Sequence, residues 1–339
     1  MLRVLKLVAC VTAMAASALA ATDLNGAGAT FPNPIYQKWF SEYRKAHPDV
    51  EINYQSVGSG AGIRQLTEGT VDFGASDGPM TDQQIAEFKS KRQTDVLHVP
   101  TVLGAVVPAY NVPGVSAELK FTGPILADIF LGKIKKWNDP AIAKENPGVK
   151  FPATDIIVVH RSDGSGTTYI FTDYLSKISP EWQQKVGKNT SVSWPTGLGQ
   201  KGNEGVAGQI RQMQGAIGYI ELIYALQNHI AFGTVQNSAG QFVKASLESV
   251  TAAAGSMNEM PADFRVSITN APGKTAYPIS SFTWLLIPTS WSDATKRTTM
   301  VDFLSWMLNS GEGMTNALDY APLPKSVAEK VRAEIKTIQ

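Results

Sequence analysis

The chain has 339 residues, 43% of them hydrophobic and 17% charged, with a formal net charge of +1. That length allows two domains of ordinary size, each with its own core. Near-neutrality excludes the broad basic surface of a nucleic-acid or acidic-membrane binder, and a single cysteine, Cys10, excludes a disulfide framework.

Residues 1–20 stand apart. Arg3 and Lys6 form a basic start, a mainly apolar run follows from Leu7 to about Ala16, and Ser17 and Ala18-Leu19-Ala20 close the segment. This three-part layout is that of a secretory signal, with cleavage after Ala20 and export from the cytoplasm. The apolar run is shorter than the roughly twenty residues of a spanning helix. Leu7-Val8-Ala9-Cys10 looks like a lipoprotein cleavage box, but too few residues precede Cys10 for a basic region plus an apolar core. Loss of Arg3, Lys6 and Cys10 with the signal leaves a nearly neutral mature chain without cysteine.

Beyond the signal, strand-like and helix-like patterns alternate, which argues for an α/β fold. Ile35, Trp39, Phe40 and Tyr43 recur at helical spacing behind Pro32 and Pro34. Val50, Ile52 and Tyr54 alternate as in a strand, and residues 71–75 are a short buried strand. Thr81 with Gln84 forms a capping box opening a helix to about Lys91. Further strands are expected over 103–110, 155–160, 217–222 and 280–287. Helices are expected within 121–135, over 167–178, and near 298–308 and 326–337. No Pro/Gly/Ser-rich linker divides the chain, so two lobes are expected to be interleaved: 21–102 with 276–339, and 103–275. The crossings are expected near Pro100–Gly104 and Thr275–Pro278.

Three glycine-rich segments stand at helix entrances: Gly26–Pro32 (GAGATFP), Val57–Gly62 (VGSGAG) and Ser162–Thr168 (SDGSGTT). The first backbone N–H groups of a helix have no internal partner, and that end carries partial positive charge. Glycine lets the backbone approach a ligand closely. Thr30, Ser59, Ser165 and Thr167 can add hydroxyl donors, and Arg161 a forked, permanently charged one. Taken singly, each segment reads as a turn; three together, each with a hydroxyl, read as a site for a small anion. Asp77 runs against an anion site unless the ligand carries a proton to donate. A phosphate near neutral pH has a P–OH and sulfate does not, so a carboxylate there would accept from one and repel the other. Alone, Asp77 reads first as a helix or turn cap.

Other chemistries fail on spacing. Gly164 and Gly166 lie two apart with no following lysine, unlike a phosphate-binding nucleotide loop. Ser165 lies in G-S-G rather than the G-x-S-x-G of a nucleophile elbow. His47, His98, His160 and His229 show no metal-ligand spacing and read as structural or exposed, His160 adding at most positive field near Arg161. No metal or cofactor is expected. Gly197–Val206 (GLGQKGNEGV) matches G-x-G-x-x-G without a clear preceding strand and reads first as a structural loop, with a lining of the ligand site as the alternative.

Assembled in order, "GAGATFPNPIYQKW", "YQSVGSGAGI", "VDFGASDGPM", "IFLGKIKKWNDPAIAKENPG", "RSDGSGTTYIFTDYL" and "GAIGYIE" resemble the phosphate-binding proteins of bacterial high-affinity phosphate ABC transporters, over essentially the whole mature chain. The resemblance implies a two-lobed periplasmic-binding fold of type II, a hinge, and phosphate held dehydrated in the cleft. It implies ligand contacts from Thr30, the Phe31 N–H, Ser59, Asp77, Arg161, Ser165, Gly166 and Thr167, with Asp163 positioning Arg161. Gly60 stands where some relatives have a second serine. It implies a monomeric receptor, not an enzyme, serving membrane permease subunits. The rivals are a receptor for sulfate or molybdate, which Asp77 opposes, and a secreted phosphatase, for which neither a nucleophile nor metal ligands are found.

Overall fold

The computed structural model describes residues 22–339. The signal, Ala20 and Cys10 lie outside the described residues. Twelve strands follow in chain order: β1 (Thr22–Gly28), β2 (Val50–Ser56), β3 (Phe73–Ser76), β4 (Val96–Asn111), β5 (Lys120–Phe121), β6 (Ile157–Arg161), β7 (Leu198–Gln200), β8 (Ala216–Glu221), β9 (Ala231–Phe232), β10 (Thr234–Gln236), β11 (Phe242–Val243) and β12 (Ser280–Pro288). Nine of them form one sheet in the order β2-β1-β3-β12-β4-β8-β6-β7, with β9 also on β4; β11-β10-β5 make a small second sheet.

The long strand β4 holds the molecule together. Residues 96–105 pair antiparallel with β12, and from Val106 onward the same strand pairs with β8. One half of the sheet is thus β2-β1-β3-β12 and the other β8-β6-β7, with β4 common to both. Its buried run from His98 to Tyr110 is apolar enough for a strand covered on both faces. Sequence pattern placed the strand only over 103–110, because Pro100 interrupts the run. Pro100 is tolerated where the ladder to β12 shifts register, between Thr283 and Trp284.

Helices follow most strands. The expected helix behind Pro32 is Asn33–Ala46, with Ile35, Tyr36, Trp39, Phe40 and Tyr43 buried. The capping box is present: the Thr81 hydroxyl accepts from the Gln84 N–H and the Gln84 side chain accepts from the Thr81 N–H, at the start of Asp82–Arg92. Among the described residues no helix is long and apolar enough to cross a membrane.

β1 was not expected. Thr22–Gly28 (TDLNGAG) has few strand-forming residues, yet it is central, paired parallel to both β2 and β3. Its glycines permit that fit: a Cβ on Gly28 would stand 2.1 Å from the Ala75 carbonyl oxygen. Because β1, β2, β3, β6, β7 and β8 run so that their carboxyl ends meet at the junction of the two halves, the loops leaving them share one crevice.

Candidate functional site

Each glycine-rich entrance lies just past one of these strand ends. Thr30 and Phe31 follow β1, Ser59 opens the Ser59–Glu68 helix after β2, and Asp77 follows β3. Ser165 caps the Gly166–Ile178 helix after β6, with its hydroxyl oxygen accepting from the Thr168 N–H at 3.0 Å. Thr30, Phe31, Ser59, Asp77, Arg161, Ser165 and Thr167 are all at most 3% exposed. The buried N–H groups of Phe31, Ser59 and Thr167 meet no protein acceptor among the described residues.

The two halves of the sheet touch across this crevice. Ser59 Oγ accepts from the N–H groups of both Gly166 (3.0 Å) and Asp77 (3.3 Å), which ties the second helix entrance to the third. The Gly60 N–H donates to the Gly164 carbonyl at 2.9 Å, so position 60 is engaged by protein. A Cβ on Gly166 would stand 2.5 Å from Asp77 Oδ2, and one on Gly164 3.0 Å from the Gly60 Cα. Only glycine permits this approach.

Arg161, at the end of β6, is held on one edge. Its Nε donates to Asp163 Oδ1 at 2.7 Å and its Nη2 to Oδ2 at 2.5 Å, while Nη1 reaches Thr167 Oγ1 at 3.4 Å. Two parallel bonds of this kind fix the guanidinium plane. Burial alone would raise the Asp163 pKa; the bonds and charge of Arg161 outweigh it, and the net direction is down. The Arg161 N–H also donates to the Tyr219 hydroxyl at 3.1 Å, and that hydroxyl bonds Thr168.

Asp77 has the opposite surroundings. Its Oδ1 accepts from the Thr283 hydroxyl on β12 at 2.8 Å, and Oδ2 accepts no bond among the described residues. Burial pushes its pKa up from 3.8 to about 7, with Thr283 and the Arg161 charge opposing that rise. The site is therefore a ring of donors with one underbonded carboxyl group. Among the described residues no His/Cys/Asp/Glu group suits a metal ion.

Two expectations change. His160 adds no field: its ring stacks on Trp194 at 4.8 Å, its Nδ1 lies 3.0 Å from the Arg161 carbonyl, and burial lowers its pKa, so it is neutral near pH 7. The 197–206 segment is also no mere structural loop. It holds β7 and the start of the Gly202–Gln212 helix. There the Gly202 N–H reaches Asp163 Oδ1 at 3.2 Å, and fully buried Asn203 bonds both Thr30 and Thr167. This is a fourth glycine-marked helix entrance, and its similarity to the other three was the available signal. Thr283 carried none: it lies 206 residues from Asp77 in sequence.

Two α/β halves that share a crossing strand and meet at the loops leaving their strand ends define a solute-binding protein of the two-lobed periplasmic class. Residues 13–311 match the family model described as a PBP superfamily domain. The chain is 46% identical over 312 residues to the phosphate-binding protein PstS of Xylella fastidiosa, covering 91% of this chain and 84% of that one. It is 47% identical over 319 residues to PstS of Pasteurella multocida, covering 94% and 91%. A solved high-affinity periplasmic phosphate-binding protein with phosphate bound superposes with a TM-score of 0.76 at 24% identity, over 92% of this chain and 93% of the other, which speaks to the fold. The chain belongs to the PstS family of phosphate-binding proteins.

Proposed function

We propose that the chain captures inorganic phosphate in this crevice outside the cytoplasm and delivers it to the membrane permease of an ABC importer. It binds and does not transform its ligand, as its relatives' name as binding proteins indicates. The observation that carries the reading is Asp77, a buried carboxyl group with one hydroxyl partner, set among donors. Once ionised, such a group finds nothing to accept from a fully deprotonated tetrahedral anion, whereas hydrogen phosphate offers it a P–OH. Thr30, the Phe31 N–H, Ser59, Ser165, Gly166 and Thr167 are assigned as neutral donors, Arg161 as the charged one, and Asp163 as its positioner. Buried N–H groups without acceptors at Phe31, Ser59 and Thr167 support this assignment. A few charge-assisted hydrogen bonds at about 1.5–3 kcal/mol each are sufficient for micromolar binding, about −8 kcal/mol, after the costs of ordering.

The proposed lobes are 21–102 with 276–339, and 103–275, and the change of β4 from β12 to β8 beside residue 105 favours such a division. Ligand contacts on both halves would select the closed arrangement. Export with cleavage after Ala20 completes the proposal, and the mass of the mature protein checks it. Titration of the phosphate-stripped protein with phosphate, arsenate and sulfate, followed by tryptophan fluorescence, tests the binding. Phosphate saturation without a sulfate response is expected. An equal response to sulfate, or none to phosphate, would end the proposal.

A further inference from the structure

Asn203 touches two of the proposed ligand hydroxyls at once. Its Nδ2 donates to Thr30 Oγ1 at 2.8 Å and to Thr167 Oγ1 at 3.0 Å. The orientation of the amide is set independently, because its Oδ1 accepts from the Glu221 N–H at 3.0 Å, so the NH2 group must face the threonines. Each threonine oxygen has a second donor as well. Thr30 Oγ1 also takes the Asn203 N–H at 3.3 Å, and Thr167 Oγ1 takes Arg161 Nη1 at 3.4 Å.

A hydroxyl oxygen has two lone pairs and one hydrogen. With both lone pairs facing N–H donors, the hydrogen is all that Thr30 and Thr167 can offer. Neither hydroxyl donates to an acceptor among the described residues. We propose that Asn203 is a positioning residue for anion selection: it locks the Thr30 and Thr167 hydroxyls as obligate donors toward the ligand and removes both as competitors with Asp77 for the ligand's proton. A serine or threonine that could rotate would accept a ligand proton as readily as give one. Locked, these two reject a protonated oxygen at their positions, so neither competes with Asp77 for the ligand's proton. Thr30 belongs to the β1 half of the sheet, and Thr167 and Asn203 to the β6 half, so the lock on Thr30 exists only while the halves touch.

This inference rests on the phosphate reading, and the test separates the two. Phosphate affinity is measured for the wild type, Thr167→Val, Asn203→Asp and the double variant. In the wild type Thr167→Val removes a donor and costs about tenfold. In Asn203→Asp the new carboxylate accepts from both threonines and turns their lone pairs to the ligand, with a loss of about 100-fold for the two reversed bonds. There Thr167→Val removes a repelling oxygen, so it restores affinity instead of reducing it. A change of sign is expected. If Thr167→Val costs the same in both backgrounds, the inference is overturned while the phosphate reading stands; a wild type that binds no phosphate removes both. Should Asn203→Asp fail to fold, neutron diffraction of the deuterium-exchanged wild type with phosphate decides. The Thr30 and Thr167 deuterons are expected on the phosphate side; a deuteron directed at Asn203 overturns the inference.

Discussion

Asp77 and Asp173 are equally shielded from solvent, each 1% exposed, and their acidities are opposite. Asp173 lies under the Gly166–Ile178 helix with Lys188 Nζ at 2.6 Å and Lys177 Nζ at 3.1 Å, and hydroxyls of Ser267 and Thr269 donate to it at 2.6 and 2.5 Å. Burial there is outweighed by these partners, and its pKa falls to about 2. Asp77 has one hydroxyl partner and a distant guanidinium, and its pKa rises to about 7. Their exposure is the same and Asp77 lies deeper; the larger difference is how fully the carboxylate is bonded. A carboxylate held for structure is saturated with donors, and one held for a ligand is left short of them.

The largest expected effect removes the charge that balances the site. Arg161→Ala leaves Asp163 buried beside the cleft without its partner and deletes the charged donor. A fall in phosphate affinity of about 1,000-fold, or about 4 kcal/mol, is expected by calorimetry.

The comparison predicts opposite signs for the two aspartates in stability. The folded protein holds the Asp77 proton more tightly than the unfolded chain, so ionising it costs nothing below pH 3.8, and the cost grows until pH is about 7. The full span corresponds to about 4 kcal/mol at most; with hydration of the cleft on opening, roughly 2 kcal/mol is expected to be recovered by Asp77→Asn at pH 8. Thermal melts of ligand-free protein should show this gain at pH 8 and none at pH 4. Asp173 is the reverse case: its contribution is present above pH 3.8 and lost as pH falls toward about 2. Because Lys177 and Lys188 are 35% and 45% exposed, solvent screens the pairs, and Asp173→Asn should cost roughly 1–2 kcal/mol at pH 7. Equal melting shifts of the same sign for both variants would erase the distinction. The smallest effect tests the neutral neighbour: His160→Gln should change phosphate affinity by less than about twofold.

Glu221 is a third buried carboxyl, where β8 meets β4 at the exchange of partners. Its Oε2 accepts the Ile223 N–H at 2.8 Å, its Oε1 has no partner among the described residues, and burial raises its pKa well above the ordinary value.

What could be read from sequence was local. A glycine and a hydroxyl within a few residues of a helix start mark an entrance, and Thr81 with Gln84 marks a cap, because the atoms concerned are neighbours in the chain. Asp77 and Arg161 were legible as polar residues ending apolar strands. What escaped was made by tertiary pairing. β1 is a strand because β2 and β3 flank it, despite Asn25, Gly26 and Gly28. β4 continues through Pro100 because the strand itself bulges there, with Thr101 the extra residue between the pairs Val102–Thr283 and Pro100–Trp284. Asn203 and Thr283 became part of the site by meeting Thr30 and Asp77 from distant points in the chain, and no spacing announces such contacts.

The central claim is that Asp77 is left underbonded so that the ligand's own proton completes it. Competition between sulfate and phosphate for the wild type and for Asp77→Asn tests this most directly. Sulfate is expected to be excluded by the wild type and to displace phosphate from Asp77→Asn, whose amide can donate to a bare oxygen. Sulfate still fully excluded by Asp77→Asn, with phosphate bound as before, would contradict it.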